Sequence, residues 1–288
     1  MNSLQLTTRD GRALAACEYG HGPRAVLIAG ATGVPQRFYA RFAQHLATRG
    51  LRVLTLDYNG IGQSRATNAS PRGMRSWAEE DLDAGIGHLR GATPAIAVIG
   101  HSFGGQALGL CPSNAAVCAL VGISAQSGQW RLWDGRHRLW MWAMMHLVLP
   151  GVLAVRTDVP GGLLGPDPLP GPVVREWTRW CRGPHYITDE QGQPLRAGFA
   201  GWTGSARFYE ITDDARYAPP RDVAELASFY ARAEVEILRR QPQDWGVDRL
   251  GHFDFFRPAA QAGWDEVADW LTPQLDAALA ETDAPIPA

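Results

Sequence analysis

The chain has 288 residues, of which 45% are hydrophobic and 19% charged. That is enough apolar content for a large core and rules out a disordered or coiled-coil chain. Lys and Arg total 27 against 29 Asp and Glu, a net charge of −2, and so even a balance carries no footprint for nucleic acid or anionic lipid.

In chain order, the first 20 residues read as a hairpin: Leu4–Thr7, a turn at Asp10-Gly11, then Ala13–Tyr19. Ala25–Ala29 (AVLIA) is a short continuous apolar run, the pattern of a strand buried on both faces. Phe38, Phe42 and Leu46 recur at helical spacing, and Gly50 closes that helix. A second buried strand follows at Arg52–Leu56, and Met74, Trp77, Leu82, Ile86 and Leu89 mark an amphipathic helix. Ala95–Ile99 and Val117–Ile123 are the next two buried strands. Strands that alternate with helices imply an α/β fold with a mostly parallel sheet.

The rhythm stops near Gly128 and resumes at Ala206–Ile211, a helix from about Asp222 to Arg232, the strand Val235–Arg239, and a last helix around Gln261–Leu275. The tail ETDAPIPA reads as disordered. Residues 1–129 and 206–288 therefore form the core, and 130–205 form a Trp- and Pro-rich insertion after the sixth strand. Of the 11 Trp, seven fall between Trp130 and Trp202. Within the insertion, Leu139–Val155 is apolar for 17 residues but is interrupted by His146, Pro150 and Gly151. A spanning helix needs about 20 residues, so the stretch reads as a buried or lid-like helix rather than a stable membrane span.

Cys17, Cys111, Cys118 and Cys181 form no CxxC pair, and the polar start MNSLQLTTRDGRAL has no apolar h-region. The expectation is a reduced, cytoplasmic enzyme. His137, His146 and His185 lack metal-ligand spacing, so neither a metal nor a cofactor is expected.

The strongest local signal is VIGHSFGG, Val98–Gly105, which contains a G-x-S-x-G turn centred on Ser102. Such a turn reverses a strand into a helix within about one residue, and any Cβ at its glycines would collide with the neighbouring backbone. It lifts the serine oxygen above the sheet edge at a helix N-terminus. Here the motif follows a buried strand and precedes a helix-like stretch, the context a nucleophile requires.

A serine needs a base, and the base an orienting carboxylate. Of the four histidines after Ser102, three lie in the insertion, which leaves His252 in the loop RLGHFDFFRP. The acid belongs after Ala206–Ile211, where Asp213 and Asp214 stand side by side. Asp214 is preferred because about two residues normally separate the strand's end from the acid; Asp213 then serves the turn. The tetrahedral intermediate needs two backbone N–H donors, expected from Phe103 and from Ala31 in the loop after AVLIA, with Thr32 able to add a hydroxyl.

The runs GATGVPQRFYARFAQHLATRG, LDYNGIGQS, GHSFGG, TDD and GHFDFFRP together resemble the α/β-hydrolase superfamily, in particular a bacterial group of serine hydrolases. The resemblance implies an eight-stranded, mostly parallel sheet with helices on both faces and a mainly helical cap inserted after the sixth strand. It also implies Ser102, Asp214 and His252 as triad and Ala31 and Phe103 as oxyanion donors. Two departures stand out: Ala29-Gly30 replaces the familiar His-Gly, and Asn59 takes the place of an Arg in D-x-R-G-x-G-x-S, which removes a structural ion pair. Ser at position 102 argues against the epoxide hydrolases and haloalkane dehalogenases of the same fold, which need Asp.

The reading is a serine hydrolase that cleaves an ester, thioester or related acyl bond of an apolar small molecule through an acyl-enzyme. An acyltransferase with the same site is the alternative, and a non-catalytic receptor is a third. Trp133, Trp140 and Trp142 are the first candidates for an apolar acyl or aromatic pocket, and a cap that exposes apolar side chains would favour a homodimer.

Overall fold

The computed structural model describes residues 1–65 and 72–283. Among these residues ten strands form: β1 (Asn2–Thr7), β2 (Ala13–Tyr19), β3 (Arg24–Ala29), β4 (Arg52–Leu56), β5 (Ala95–His101), β6 (Ala119–Ile123), the short pair β7 (Asp158–Val159) and β8 (Leu169–Pro170), then β9 (Ser205–Ile211) and β10 (Glu234–Arg240). Eight of them make one sheet in the order β1-β2-β4-β3-β5-β6-β9-β10. The N-terminal hairpin joins it antiparallel through β2 and β4, and every other pairing is parallel.

The apolar runs become central strands because both faces are covered. Along β3, Val26 and Ile28 enter one buried cluster with Phe42, Leu46, Val267 and Leu271, while Ala25, Leu27 and Ala29 enter the other. This period of two is the pleat itself. The first face carries α1 (Ala40–Thr48) and α10 (Gln261–Asp283). The opposite face carries α2 (Met74–Ser76), which runs through a π turn (Trp77–Leu82) into α3 (Asp83–Arg90), and then α4 (Phe103–Leu110) and α9 (Pro220–Phe229).

Between β6 and β9 lie α5 (Gly135–Ala143), a π turn (Met144–Val148), α6 (Leu149–Val155), α7 (Gly171–Arg182) and α8 (Ala197–Gly201). Their buried side chains, Trp133, Met141, Met145, Leu149, Val173 and Trp180 among them, belong to the same cluster as Leu27, Leu54 and Val98 of the sheet. The insertion and the sheet share one core.

Among the boundaries that differ from the sequence expectations, three are physically informative. His146, Pro150 and Gly151 do not interrupt the apolar stretch: α5, the π turn and α6 form one helix of 21 residues, Gly135–Val155, with 22% of its most apolar window buried. The π turn shifts the hydrogen-bond ladder just before Pro150, so the helix continues past a residue that has no N–H to donate. The last helix extends to Asp283, so the first three residues of the tail are helical, and residues 284–288 lie outside the described residues. α9 ends at Phe229, short of Arg232, where Tyr230 turns inward to donate its hydroxyl to the Gly105 carbonyl.

Candidate active site

The turn at Ser102 is built by exclusion of side chains. A Cβ on Gly100 would lie 2.2 Å from the Gly105 nitrogen, and one on Gly104 only 2.0 Å from the Ala29 carbonyl oxygen. With both glycines in place, β5 passes directly into α4, and Ser102 sits between them at φ 53° and ψ −115°. A non-glycine residue holds that conformation only when its surroundings dictate it. Here the Ser102 N–H donates to the Ile123 carbonyl at the end of β6, at 3.1 Å. Phe103 is the first residue of α4, so its N–H has no carbonyl partner within the helix.

His252 is fixed from three sides. Its Nδ1 lies 2.6 Å from Asp214 Oδ2, and both side chains are buried. Asp213 faces elsewhere: its two carboxylate oxygens accept the N–H groups of Leu250 at 2.9 Å and Gly251 at 3.0 Å. The adjacent aspartates thus divide the work, one gripping the ring and the other the backbone just before it. The third contact is His101 Nε2, 2.7 Å from the His252 carbonyl oxygen.

This last contact begins a buried relay that the sequence did not reveal. A carbonyl only accepts, so His101 Nε2 carries the proton and Nδ1 is bare. The Tyr39 hydroxyl therefore donates to His101 Nδ1 at 2.9 Å, and its oxygen accepts the Ala31 N–H at 2.8 Å. Burial, followed by the nearby His252, lowers the His101 pKa well below its ordinary value, consistent with the neutral ring that this pattern needs. The relay spans the loop after β3, the residue before Ser102 and the backbone of His252. The only sequence cue was His101 beside the serine; the fold alone brings Tyr39 to it.

The relay bears on one expectation. Ala31 reaches the site, and its N–H donates to the Tyr39 hydroxyl at 2.8 Å.

Ser102 and His252 open onto one cavity of about 50 Å³, lined also by Ala31, Thr32, Gln126, Trp140, Met141, Met145, Leu164, Trp177, Tyr217 and Phe253. Among the described residues, no Asp, Glu, Lys or Arg lines it, and His252 of the site itself is its one histidine. Of the three tryptophans proposed for a pocket, only Trp140 lines it. Trp133 is fully buried, its indole N–H given to the Arg216 carbonyl, and Trp142 stacks on His146. Trp177, which was not singled out, takes part instead. Its N–H donates to the Tyr186 hydroxyl, which donates to Gln106 in α4. On a helix that is apolar all round, sequence spacing does not tell which face turns inward.

The loop with Asn59 keeps an ion pair of other origin. Asn59 N–H and Arg12 both approach the buried Asp81, at 2.7 Å and 3.3 Å, so the N-terminal hairpin supplies the cation.

No curated protein matches the sequence. Among solved structures, an esterase of Pyrococcus furiosus superposes with a TM-score of 0.64 at 14% identity, over 94% of this chain and 90% of that one. An esterase of Exiguobacterium antarcticum gives 0.60 at 14% identity, over 94% and 99%. Est1E of Butyrivibrio proteoclasticus, solved with ferulic acid bound, gives 0.58 at 12% identity, over 95% and 99%. Likeness at such identities speaks for the fold. A family model described as the alpha/beta hydrolase family matches residues 25–270, and the chain belongs to the alpha/beta hydrolase family.

Proposed function

We propose that the protein is a serine hydrolase that cleaves the ester bond of a small, uncharged acyl substrate. The observation that carries this reading is the 2.6 Å contact from Asp214 to His252 Nδ1. With Nδ1 donating to Asp214, the neutral His252 ring offers Nε2 as the acceptor at a cavity that Ser102 also lines. His252 accepts the Ser102 proton as the oxygen attacks the ester carbonyl, and Asp214 stabilises the imidazolium that forms. The Phe103 N–H is one donor to the oxyanion. Because the Ala31 N–H is engaged with Tyr39 and Thr32 faces the cavity, Thr32 takes the second donor position. The alcohol leaves with the proton from His252, and water activated by the same imidazole releases the acid.

Cavity size supports a short acyl group. About 50 Å³ is about a third of the roughly 150 Å³ of an apolar cavity known to hold benzene. The segment 130–205 acts as the cap, and its Trp140, Met141, Met145, Leu164 and Trp177 supply most of the apolar wall.

The test is Ser102→Ala with p-nitrophenyl acetate, alongside labelling of the wild type by a fluorophosphonate. We expect kcat to fall by about 10⁶ and the label to appear on Ser102 alone. An Ala variant with near-wild-type turnover, or a folded wild type that does not label, overturns the reading.

A further inference from the structure

The helix Gly135–Val155 has two apolar faces with different fates. Trp140, Met141 and Met145 line the cavity, and Met144 and Leu149 are buried in the core. The outer face is not covered: Leu139 is 67% exposed, Leu147 57% and Val155 83%, with Val148 also exposed. Over 21 residues this face is about 30 Å long.

Its ends are basic. Arg136 and Arg138 stand exposed at one end and Arg156 at the other, and Gly135–Arg156 contains no Asp or Glu. Among the described residues, none of the three arginines is ion-paired. The flanking carboxylates, Asp134 and Asp158, approach Arg221 and Arg65 instead. The near-neutral net charge of the chain hides this local asymmetry.

These charges decide between occupants. In a two-fold pairing of this helix with a second copy, an antiparallel arrangement sets Arg136 and Arg138 against Arg156. A parallel arrangement sets each arginine against itself. Within Gly135–Arg156 neither offers a counter-charge, and the flanking Asp134 and Asp158 already face Arg221 and Arg65. An anionic lipid surface supplies one at both ends and takes the leucines and valines between them into its acyl boundary. We propose that the outer face of this helix docks the protein, lying flat, on anionic membrane surfaces, with the cavity directly beneath. The proposal does not depend on the chemistry assigned to Ser102, and the Ser102→Ala protein is expected to dock equally well.

The test is flotation with vesicles of phosphatidylcholine alone and of phosphatidylcholine with roughly one-third phosphatidylglycerol. Wild type, Leu147→Glu/Val155→Glu and Arg136→Glu/Arg138→Glu/Arg156→Glu are compared, and light scattering gives the mass of each protein in solution. All five substituted side chains are exposed, so far-UV dichroism and turnover of a water-soluble ester should report intact folds. We expect wild type to float with the anionic vesicles and to be released by salt. The leucine–valine variant should bind about tenfold more weakly or worse, and the arginine variant should lose its preference for anionic lipid. Failure of wild type to float with anionic vesicles overturns the proposal. So does binding that is indifferent to the substitutions, or a wild-type dimer that Leu147→Glu/Val155→Glu converts to monomer.

Discussion

The two adjacent aspartates give the sharpest test of how His252, the proposed base, is held. In Asp214→Asn the residue keeps its size, but the negative charge next to His252 Nδ1 is lost. For charges about 4 Å apart in a partly buried site, the Coulomb energy is about 4 kcal/mol, or about three decades in rate. The amide also permits the wrong imidazole tautomer, with Nε2 protonated and unable to accept from Ser102, so the total loss in kcat should approach about 10⁴. Asp213→Asn alters a carboxylate that accepts two backbone N–H groups, at 2.9 Å and 3.0 Å. The amide keeps one acceptor, so the cost is about 1 kcal/mol of stability, with activity within about tenfold of wild type. Steady-state turnover of p-nitrophenyl acetate and urea denaturation of both variants measure the two quantities. A larger rate loss in Asp213→Asn than in Asp214→Asn would refute the division of labour.

Other parts of the structure make equally specific demands. Tyr39→Phe strips the Ala31 N–H and His101 Nδ1 of their shared partner and should destabilise the fold by about 3 kcal/mol; an unchanged urea midpoint would refute the relay. Gly104→Ala drives a methyl into the Ala29 carbonyl and should cost about 3 kcal/mol or more, also read by denaturation, whereas a stable, active variant would show that the turn has room. Asp222 is buried and its pKa is pushed up to about 9, chiefly by desolvation. Its native carboxyl holds a proton that the unfolded chain, at an ordinary carboxylate value, has released, so stability from this group falls as pH rises from about 4 to about 9. Melting curves between about pH 5 and pH 9 should therefore decline less steeply for Asp222→Asn than for wild type, and parallel curves would show that the group carries no such proton.

How much of this could be read from the residues depends on whether the information was local. Runs such as AVLIA and RVLTL announce strands covered on both faces, and the glycines around Ser102 announce a turn no other residue tolerates; these patterns are short and sterically determined. Asp213 and Asp214 could be placed together but not separated by geometry, since adjacent side chains leave the backbone in different directions only once the turn is set. The helix through Pro150 was read as interrupted because the π turn that accommodates it has no sequence cue of its own. Trp142 was misplaced for a related reason: on LWMWAMMHLV every rotation buries apolar groups; Trp133 lies before that helix, and its buried indole is fixed by a long-range bond to the Arg216 carbonyl. Tyr39 and His101 are 62 residues apart, and no periodicity predicts such a contact.

The shared core has a bearing on how this enzyme can change. Since Trp133, Met145 and Trp180 pack in one cluster with Leu27 and Val98, the segment over the cavity cannot be excised or exchanged as a module. Cutting it out would leave the sheet's own apolar surface bare and the chain prone to aggregate. New selectivity must come one side chain at a time, and the methionines at positions 141 and 145, with their flexible unbranched chains, are the places where the wall can be reshaped at least cost to the fold.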